Sequence, residues 1–379
     1  MTPAPSPIDP DGLQEFSVVF TDRSLNHMSA KFQTAMNDIS AMLREVYAAE
    51  AAVLVPGGGS YGMEAVARQF ATGKRCMVIR NGWFSYRWTQ IFDACGISDH
   101  LDVIKARQSG NDTTTPFTPP PIEDVVKRIA ETKPEIVFAP HVETSAGIIL
   151  PDDYIRAVAE AAHEVGALFV LDCIASGAIW VDMASTGVDV LISAPQKGWS
   201  ASPSSGVVML GARALARLPE TKSTSFACDL GKWHQIMQAY ENGGHAYHAT
   251  MPTDALVGFR DAMIETREMG FDVARARQQE LGDRTRAMLG DMGYRSVAAP
   301  GFEAPGVVVS YTADPDFKNG SKFAAEGMQI AAGVPLECDE PADFSTFRLG
   351  LFGLDKLRDV DATLARLEQV LRKVTAQAA

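Results

Sequence analysis

The feature that most constrains this chain is a series of short apolar runs, each broken by glycine or small polar residues, with amphipathic stretches around them. The runs fall at residues 52–55, 74–79, 100–106, 135–140, 167–171, 188–192 and 206–210. Runs of this length suit strands buried on both faces. The stretches around them carry helical spacing: Met36, Ile39, Met42, Leu43 and Val46 within 28–49, and Met63, Val66 and Phe70 within 61–70. Residues 122–132 and 152–165 read the same way. Strand and helix in alternation predict an α/β fold on a doubly wound, mostly parallel sheet. In such a sheet ligands lie beyond the carboxyl ends of the strands.

Those ends hold the candidate functional residues. The run at 188–192 breaks at Ser193-Ala194-Pro195, delivers Gln196 and Lys197, and enters a loop rich in Gly, Ser and Pro. Lysine is usually a solvated surface residue. At the mouth of a buried strand it loses hydration, its pKa falls, and the amine becomes a nucleophile suited to a carbonyl carbon. Asp172 directly follows the run at 167–171, and one crossover and one strand separate it from Lys197. Parallel neighbours point the same way, so both belong to one sheet edge.

Three more features reach that edge. The run at 52–55 leads into Pro56-Gly57-Gly58-Gly59-Ser60 and then a helix, where backbone N–H groups can hold an anion. The run at 74–79 leads to Asn81-Gly82 and a cluster of Trp83, Phe84, Tyr86 and Trp88, which can pack in the core or wall a ligand site. The run at 135–140 ends in His141-Val142-Glu143-Thr144-Ser145-Ala146-Gly147. Each feature alone fits an ordinary turn, cap or loop. Their convergence on one edge makes that edge the candidate site.

Past residue 211 the pattern changes. Residues 229–241 and 252–292 read as helices on either side of the loop at 243–252. A strand at 306–311, a helix at 321–330, a strand at 346–351 and a helix at 360–374 make a smaller α+β unit. The expected division is an N-terminal arm at 1–27, a large domain at 28–275 and a small C-terminal domain at 276–379. The first eleven residues hold four prolines and read as a loose tail rather than a signal peptide.

Composition narrows the function. A formal net charge of −13 argues against a nucleic-acid partner. No window approaches the length of uncharged apolar chain that a membrane span needs. Cys76, Cys95, Cys173, Cys228 and Cys338 form no CxxC pair and no metal-ligand spacing, so no metal is expected. Reduced thiols of this kind point to the cytoplasm.

Taken in order, these motifs are a glycine-rich turn before a helix, Asn-Gly with aromatics, His-x-Glu-Thr-Ser-x-Gly, a strand-end Asp, Gln-Lys and a late Arg-Leu-Gly. The order resembles the class V aminotransferases, fold-type I enzymes that use pyridoxal 5'-phosphate. The likeness is greatest to alanine–glyoxylate and serine–glyoxylate/pyruvate aminotransferases. It implies that Lys197 carries the cofactor and that Asp172 holds the pyridine nitrogen protonated. It implies that Gly58, Gly59, Ser60 and Gln196 bind the phosphate, that Phe84 or Trp83 stacks on the ring, and that Ser145 or Thr144 hydrogen-bonds it. Arg348 would clamp the substrate carboxylate. Tyr247 and Thr250 match a segment that reaches the neighbouring subunit's phosphate, which implies a homodimer with sites at the interface. The implied activity is ping-pong transfer of an amino group from a small amino acid to a 2-oxo acid.

The sequence departs from this pattern near its start. Such enzymes often open with a Gly-Pro-Gly-Pro-like segment, where this chain reads Phe20-Thr21-Asp22-Arg23-Ser24-Leu25-Asn26-His27-Met28. Asn26, His27 and Arg23 then become candidate substrate contacts. Two rivals remain. Cys338, ten residues before Arg348, would serve a cysteine desulfurase of the same fold. Gln196 and Phe84 stand against it, because desulfurases carry histidine before the lysine and on the ring. The other rival is a non-catalytic relative that binds the cofactor without turnover.

Overall fold

The computed structural model describes residues 8–108, 110 and 112–376. The first seven of the eleven residues expected as a loose tail lie outside the described residues, as do positions 109 and 111 of the polar loop. Each apolar run forms a strand. They are β1 (Ala51–Pro56), β2 (Cys76–Arg80), β3 (Leu101–Lys105), β4 (Ile136–Pro140), β5 (Leu168–Asp172), β6 (Val190–Ser193) and β7 (Ser205–Leu210). The order across the sheet is β1-β7-β6-β5-β4-β2-β3. Neighbours from β6 to β3 are parallel, and β7 runs antiparallel to both β1 and β6. All the strands except β7 therefore end at one edge. Side chains of β2, β4, β5 and β6 are buried throughout, as a sheet covered on both faces requires.

The covering helices follow the amphipathic stretches: α1 (Ala30–Tyr47), α2 (Gly59–Val66), α3 (Trp83–Cys95), α4 (Ile122–Thr132) and α5 (Asp152–Glu164). Ser29 caps α1, its hydroxyl accepting from Phe32 N–H at 3.1 Å. The buried face of α1 meets α6 (Leu230–Glu241), with Phe32 and Tyr240 rings 5.7 Å apart.

The expected helix at 252–292 is two helices, α7 (Thr253–Met269) and α8 (Phe271–Asp291). They meet at Gly270, whose φ of 92° ends the first and starts the second. The polar loop at 107–121 contains a short antiparallel pairing of Arg107–Gln108 with Phe117–Thr118. Helix at 321–330 is confined to Ser321–Ala325, because Gly327 turns left-handed at φ 76°.

Near the C-terminus, β8 (Val307–Tyr311), β9 (Ala331–Ala332) and β10 (Thr346–Gly350) form an antiparallel sheet in the order β8-β10-β9. Alternation along β10 sends Phe347 and Leu349 into the core. Phe347 packs against Tyr294, Phe317 and Phe323. Arg348 is thereby placed on the opposite face. The last helix, α9 (Val360–Ala376), buries Leu364, Leu367 and Leu371. Among the described residues no helix is long and apolar enough to cross a membrane.

Candidate active site

The carboxyl edge of the large sheet carries a cavity whose lining includes Gly59, Ser60, Phe84, Arg87, Thr144, Asp172, Ile174, Gln196 and Lys197. Strand register explains the central pair. Asp172, the last residue of β5, lies opposite Ile192 of the parallel β6, and Lys197 follows the end of β6. The loop that carries Lys197 is held by its neighbours. Trp199 is fully buried and packs against Trp180, ring centroids 4.6 Å apart and planes tilted by 34°. Gly198 packs so tightly that an added Cβ would fall 2.1 Å from the Gly177 carbonyl oxygen. Ser200 accepts a hydrogen bond from Leu354 N–H at 2.7 Å, which ties the loop to the C-terminal region.

Burial dominates the electrostatics of the pair. It pushes the Asp172 carboxyl up to about 6, with Glu143 adding, while the Ile174 N–H at 2.9 Å and the Lys197 and Arg87 charges resist. Burial also pulls the Lys197 amine below the ordinary lysine range. Asp172 opposes that pull, and Arg348 and Arg87 add to it. Behind them His141 is driven neutral, down to about 3, by burial and by Arg275. Its Nδ1 lies 2.6 Å from Ser176 Oγ, and its backbone N–H donates to the Asp172 carbonyl at 2.8 Å.

Phe84 stands at the centre of three cations. The Lys197 amine is 5.9 Å from its ring centroid, the Arg87 guanidinium carbon 5.1 Å and that of Arg348 5.5 Å. Trp83 packs instead against Tyr86, 5.6 Å between centroids, so Phe84 is the aromatic on the cavity. Arg87 lies three residues along α3 from Phe84 and donates to Ser60 Oγ at 3.0 Å. Arg348 donates through Nε to the Ala332 carbonyl at 2.8 Å and through Nη1 to the Thr144 carbonyl at 3.5 Å.

The β1–α2 turn is built for a close approach. Gly57 adopts φ 128°, a conformation open to glycine. An added Cβ on Gly59 would lie 2.6 Å from Ile174 Cδ1. No side chain caps α2; Tyr61 and Gly62 N–H donate to the Gly58 carbonyl at 2.9 and 3.3 Å, and among the described residues the N–H groups of Gly59 and Ser60 have no acceptor. Gly59 and Ser60 line the cavity, and Gly58 is not among its lining residues.

The two hydroxyls at the tip of β4 differ. Ser145 Oγ donates to Glu143 Oε1 at 2.7 Å and accepts from Trp83 N–H at 2.9 Å. It is already engaged and is not on the cavity lining. Thr144 lines the cavity, and among the described residues its buried hydroxyl has no hydrogen-bond partner.

Tyr247, Thr250 and Asn26 do not join this cavity within one chain. Tyr247 is about half exposed, and its hydroxyl lies 3.0 Å from Thr250 Oγ1. Its ring packs 5.5 Å from His27. Asn26 donates to Glu15 Oε2 at 2.6 Å and Ser17 Oγ at 3.1 Å, holding a turn of the N-terminal arm. Cys338 is buried, its thiol pushed up by burial and donating to the Arg80 carbonyl at 3.4 Å; it does not line the cavity.

Three residues here escaped the sequence reading. Arg87 sits one helical turn beyond Phe84, a spacing that signals a shared face. Glu143 stands inside the quoted His-x-Glu-Thr-Ser motif. Phe352, whose ring centroid is 5.4 Å from the Lys197 amine, carries no sequence signal of its own.

Known proteins are similar to this chain in sequence and in fold. The sequence is 24% identical over 376 residues to the soluble hydrogenase 42 kDa subunit of Anabaena cylindrica, covering 98% of this chain and 92% of that protein. It is 28% identical over 330 residues to the 2-aminoethylphosphonate–pyruvate transaminase of Aeromonas hydrophila, covering 84% of this chain and 78% of that one. The fold matches the crystal structure of an alanine–glyoxylate aminotransferase from Nostoc sp. with a TM-score of 0.76 at 22% identity, covering 92% and 89% of the two chains. The sequence model of the aminotransferase class-V family matches residues 3–327, and this chain belongs to that family of transaminases.

Proposed function

We propose that this chain is a pyridoxal 5'-phosphate-dependent, cytoplasmic, homodimeric aminotransferase. It moves an amino group from a small amino acid, such as alanine or serine, to a 2-oxo acid such as glyoxylate or pyruvate. The observation that carries the reading is the cavity between Asp172 and Lys197, into which an unpartnered Thr144 hydroxyl is also built. A buried hydroxyl without a partner loses free energy until a ligand satisfies it. The residues fit the cofactor: an amine for its aldehyde, a carboxylate for its ring nitrogen, an aromatic face, and an uncapped helix start for its phosphate.

When bound, the cofactor supplies an electron sink for the charge left as a proton leaves the substrate α-carbon. Lys197, made less basic by burial, can hold that proton and return it. Asp172 would keep the proton on the pyridine nitrogen. Gly59, Ser60, Gln196 and Arg87 would hold the phosphate, with Thr144 donating to the ring. Arg348, on the face of β10 turned away from Phe347, would clamp the substrate carboxylate through its guanidinium.

Tyr247 and Thr250 lie exposed beside the N-terminal arm, so they are open to a second copy. Half-buried Asn26 adjoins that surface and buried His27 packs beneath Tyr247, so a second copy seated there would bring the arm to the neighbouring subunit's substrate site. A ping-pong order follows, with the first oxo acid leaving before the second binds.

The test is a donor screen on cofactor-loaded protein with alanine, serine, aspartate and glycine, read as the absorbance change from the aldehyde to the aminated cofactor. Glyoxylate or pyruvate should reverse the change, and initial rates should give parallel double-reciprocal lines. Loaded protein that no donor converts would remove this reading.

A further inference from the structure

The N-cap residue of α3 is Gly82, which has no side chain to accept from the helix's first N–H groups, although Ser85 Oγ accepts from the Gly82 N–H itself at 3.1 Å. A carboxylate from another strand tip takes that place. Glu143 is fully buried. Its Oε1 accepts from Phe84 N–H at 3.1 Å, Ser145 N–H at 3.1 Å and Ser145 Oγ at 2.7 Å. Its Oε2 accepts from Ser85 N–H at 2.9 Å and Ser85 Oγ at 2.7 Å. Both oxygens act only as acceptors, the part a carboxylate plays. Ser145 completes the cap by accepting from Trp83 N–H at 2.9 Å.

Gly82 makes room for this. An added Cβ there would stand 2.1 Å from Ser145 Oγ and 2.8 Å from the Glu143 carboxyl carbon. Its backbone is extended, so the requirement is space and not conformation. A negative charge at a helix start also lies at the favourable end of the helix dipole.

Phe84 and Arg87, the two residues that α3 gives to the cavity, are thus hung from one carboxylate. We infer that Glu143 is the positioning residue of this site: by capping α3 across the sheet edge it sets where Phe84 and Arg87 stand above the Lys197–Asp172 pair. This rests on the reading of the cavity as a cofactor site. The charge of Glu143 also reaches that pair, favouring the protonated form of both Asp172 and Lys197. The other charged groups that bear on Lys197 are Asp172, Arg348 and Arg87.

The experiment compares full-length Glu143→Gln and Gly82→Ala with wild type. The first keeps the side chain's shape and removes its charge; the second leaves Glu143 intact and fills the space of the cap. Two readouts are used: amide hydrogen exchange in the cofactor-free protein, and the dissociation constant for pyridoxal 5'-phosphate from quenching of tryptophan fluorescence. Exchange at Trp83, Phe84 and Ser85 should rise at least tenfold in both variants, with strands β5 and β6 unchanged. Cofactor affinity should fall on the order of tenfold or more. In loaded Glu143→Gln, the pH at which the Lys197-linked chromophore titrates should move down, because a charge that holds its proton has gone.

Unchanged exchange at 83–85 in Glu143→Gln overturns the proposal, as does exchange that rises evenly across the sheet. Should wild type itself bind no cofactor, the functional reading falls, and the exchange data from cofactor-free protein still decide the role of Glu143.

Discussion

Asp172 and Lys197 line one cavity from the tips of neighbouring parallel strands, and each is pushed by burial toward its uncharged form. Among the described residues no ion pair joins them. Two groups that attract but do not touch leave a gap that a third partner can bridge. A protonated heterocycle beside the carboxylate and a carbonyl beside the amine would relieve both desolvation penalties at once.

Cofactor-free Asp172→Asn should therefore be more stable than wild type at pH 8 and close to it at pH 4. The folded carboxyl titrates near 6, above the ordinary 3.8, so the folded state binds this proton more tightly than the unfolded chain does. Stability from that linkage is complete below 3.8 and is lost as pH rises through about 6. A gap of about two units corresponds to at most about 3 kcal/mol. Urea denaturation at the two pH values measures it. A variant no more stable than wild type at pH 8 would show that the carboxylate is not desolvated. Cofactor affinity should fall in the same variant, so stability and binding move in opposite directions.

Thr144→Val and Ser145→Ala should also separate. Thr144 carries a buried hydroxyl without a partner among the described residues, so its removal should leave the cofactor-free protein as stable or about 1 kcal/mol more stable. Ser145 caps α3, and its loss should cost about 1 kcal/mol. Cofactor affinity should drop in Thr144→Val through a lost direct contact. Thermal melts with and without pyridoxal 5'-phosphate read both effects, and equal cofactor-free melting temperatures for the two variants would contradict the assignment.

How much of this was visible in the sequence depends on distance along the chain. Strand tips follow from apolar period and breakers, so Asp172, Lys197 and the turn through Gly59 and Ser60 were legible. Side chains that meet only through tertiary structure were not. Glu143 reaches residues 84 and 85 from the tip of the neighbouring strand, some sixty residues away in sequence, and its motif alone does not say what it caps. Ser145 was legible as a hydroxyl at a tip, but its engagement with Trp83 was not. The break at Gly270 was missed because the apolar spacing runs through it, and only the backbone angle shows the stop.

Arg87 gives a prediction about the phosphate. It donates to Ser60 beside the uncapped start of α2, so Arg87→Ala should weaken pyridoxal 5'-phosphate about tenfold, as for loss of a charged hydrogen bond worth about 1.5 kcal/mol. Binding of unphosphorylated pyridoxal should change little. Equilibrium titration with both ligands checks this. An equal loss for the two would place Arg87 on the ring rather than on the phosphate.

Arg348 should be read through both substrate and pH. Its Nη1 contact to the Thr144 carbonyl is long, at 3.5 Å, which leaves that nitrogen free to turn to a carboxylate. Arg348→Ala should raise KM for amino-acid donors by about a hundredfold, for a charged contact worth about 3 kcal/mol. Amines without a carboxylate should lose little. The same change removes a positive charge that lowers the Lys197 amine, so that amine should keep its proton to higher pH. The acid limb of the rate profile, where the amine must be neutral to take a proton, then moves upward. Steady-state rates across pH with a donor and its decarboxylated amine test both arms. A loss of equal size for the two substrates, with an unmoved acid limb, would show that Arg348 supports the fold and does not face the substrate.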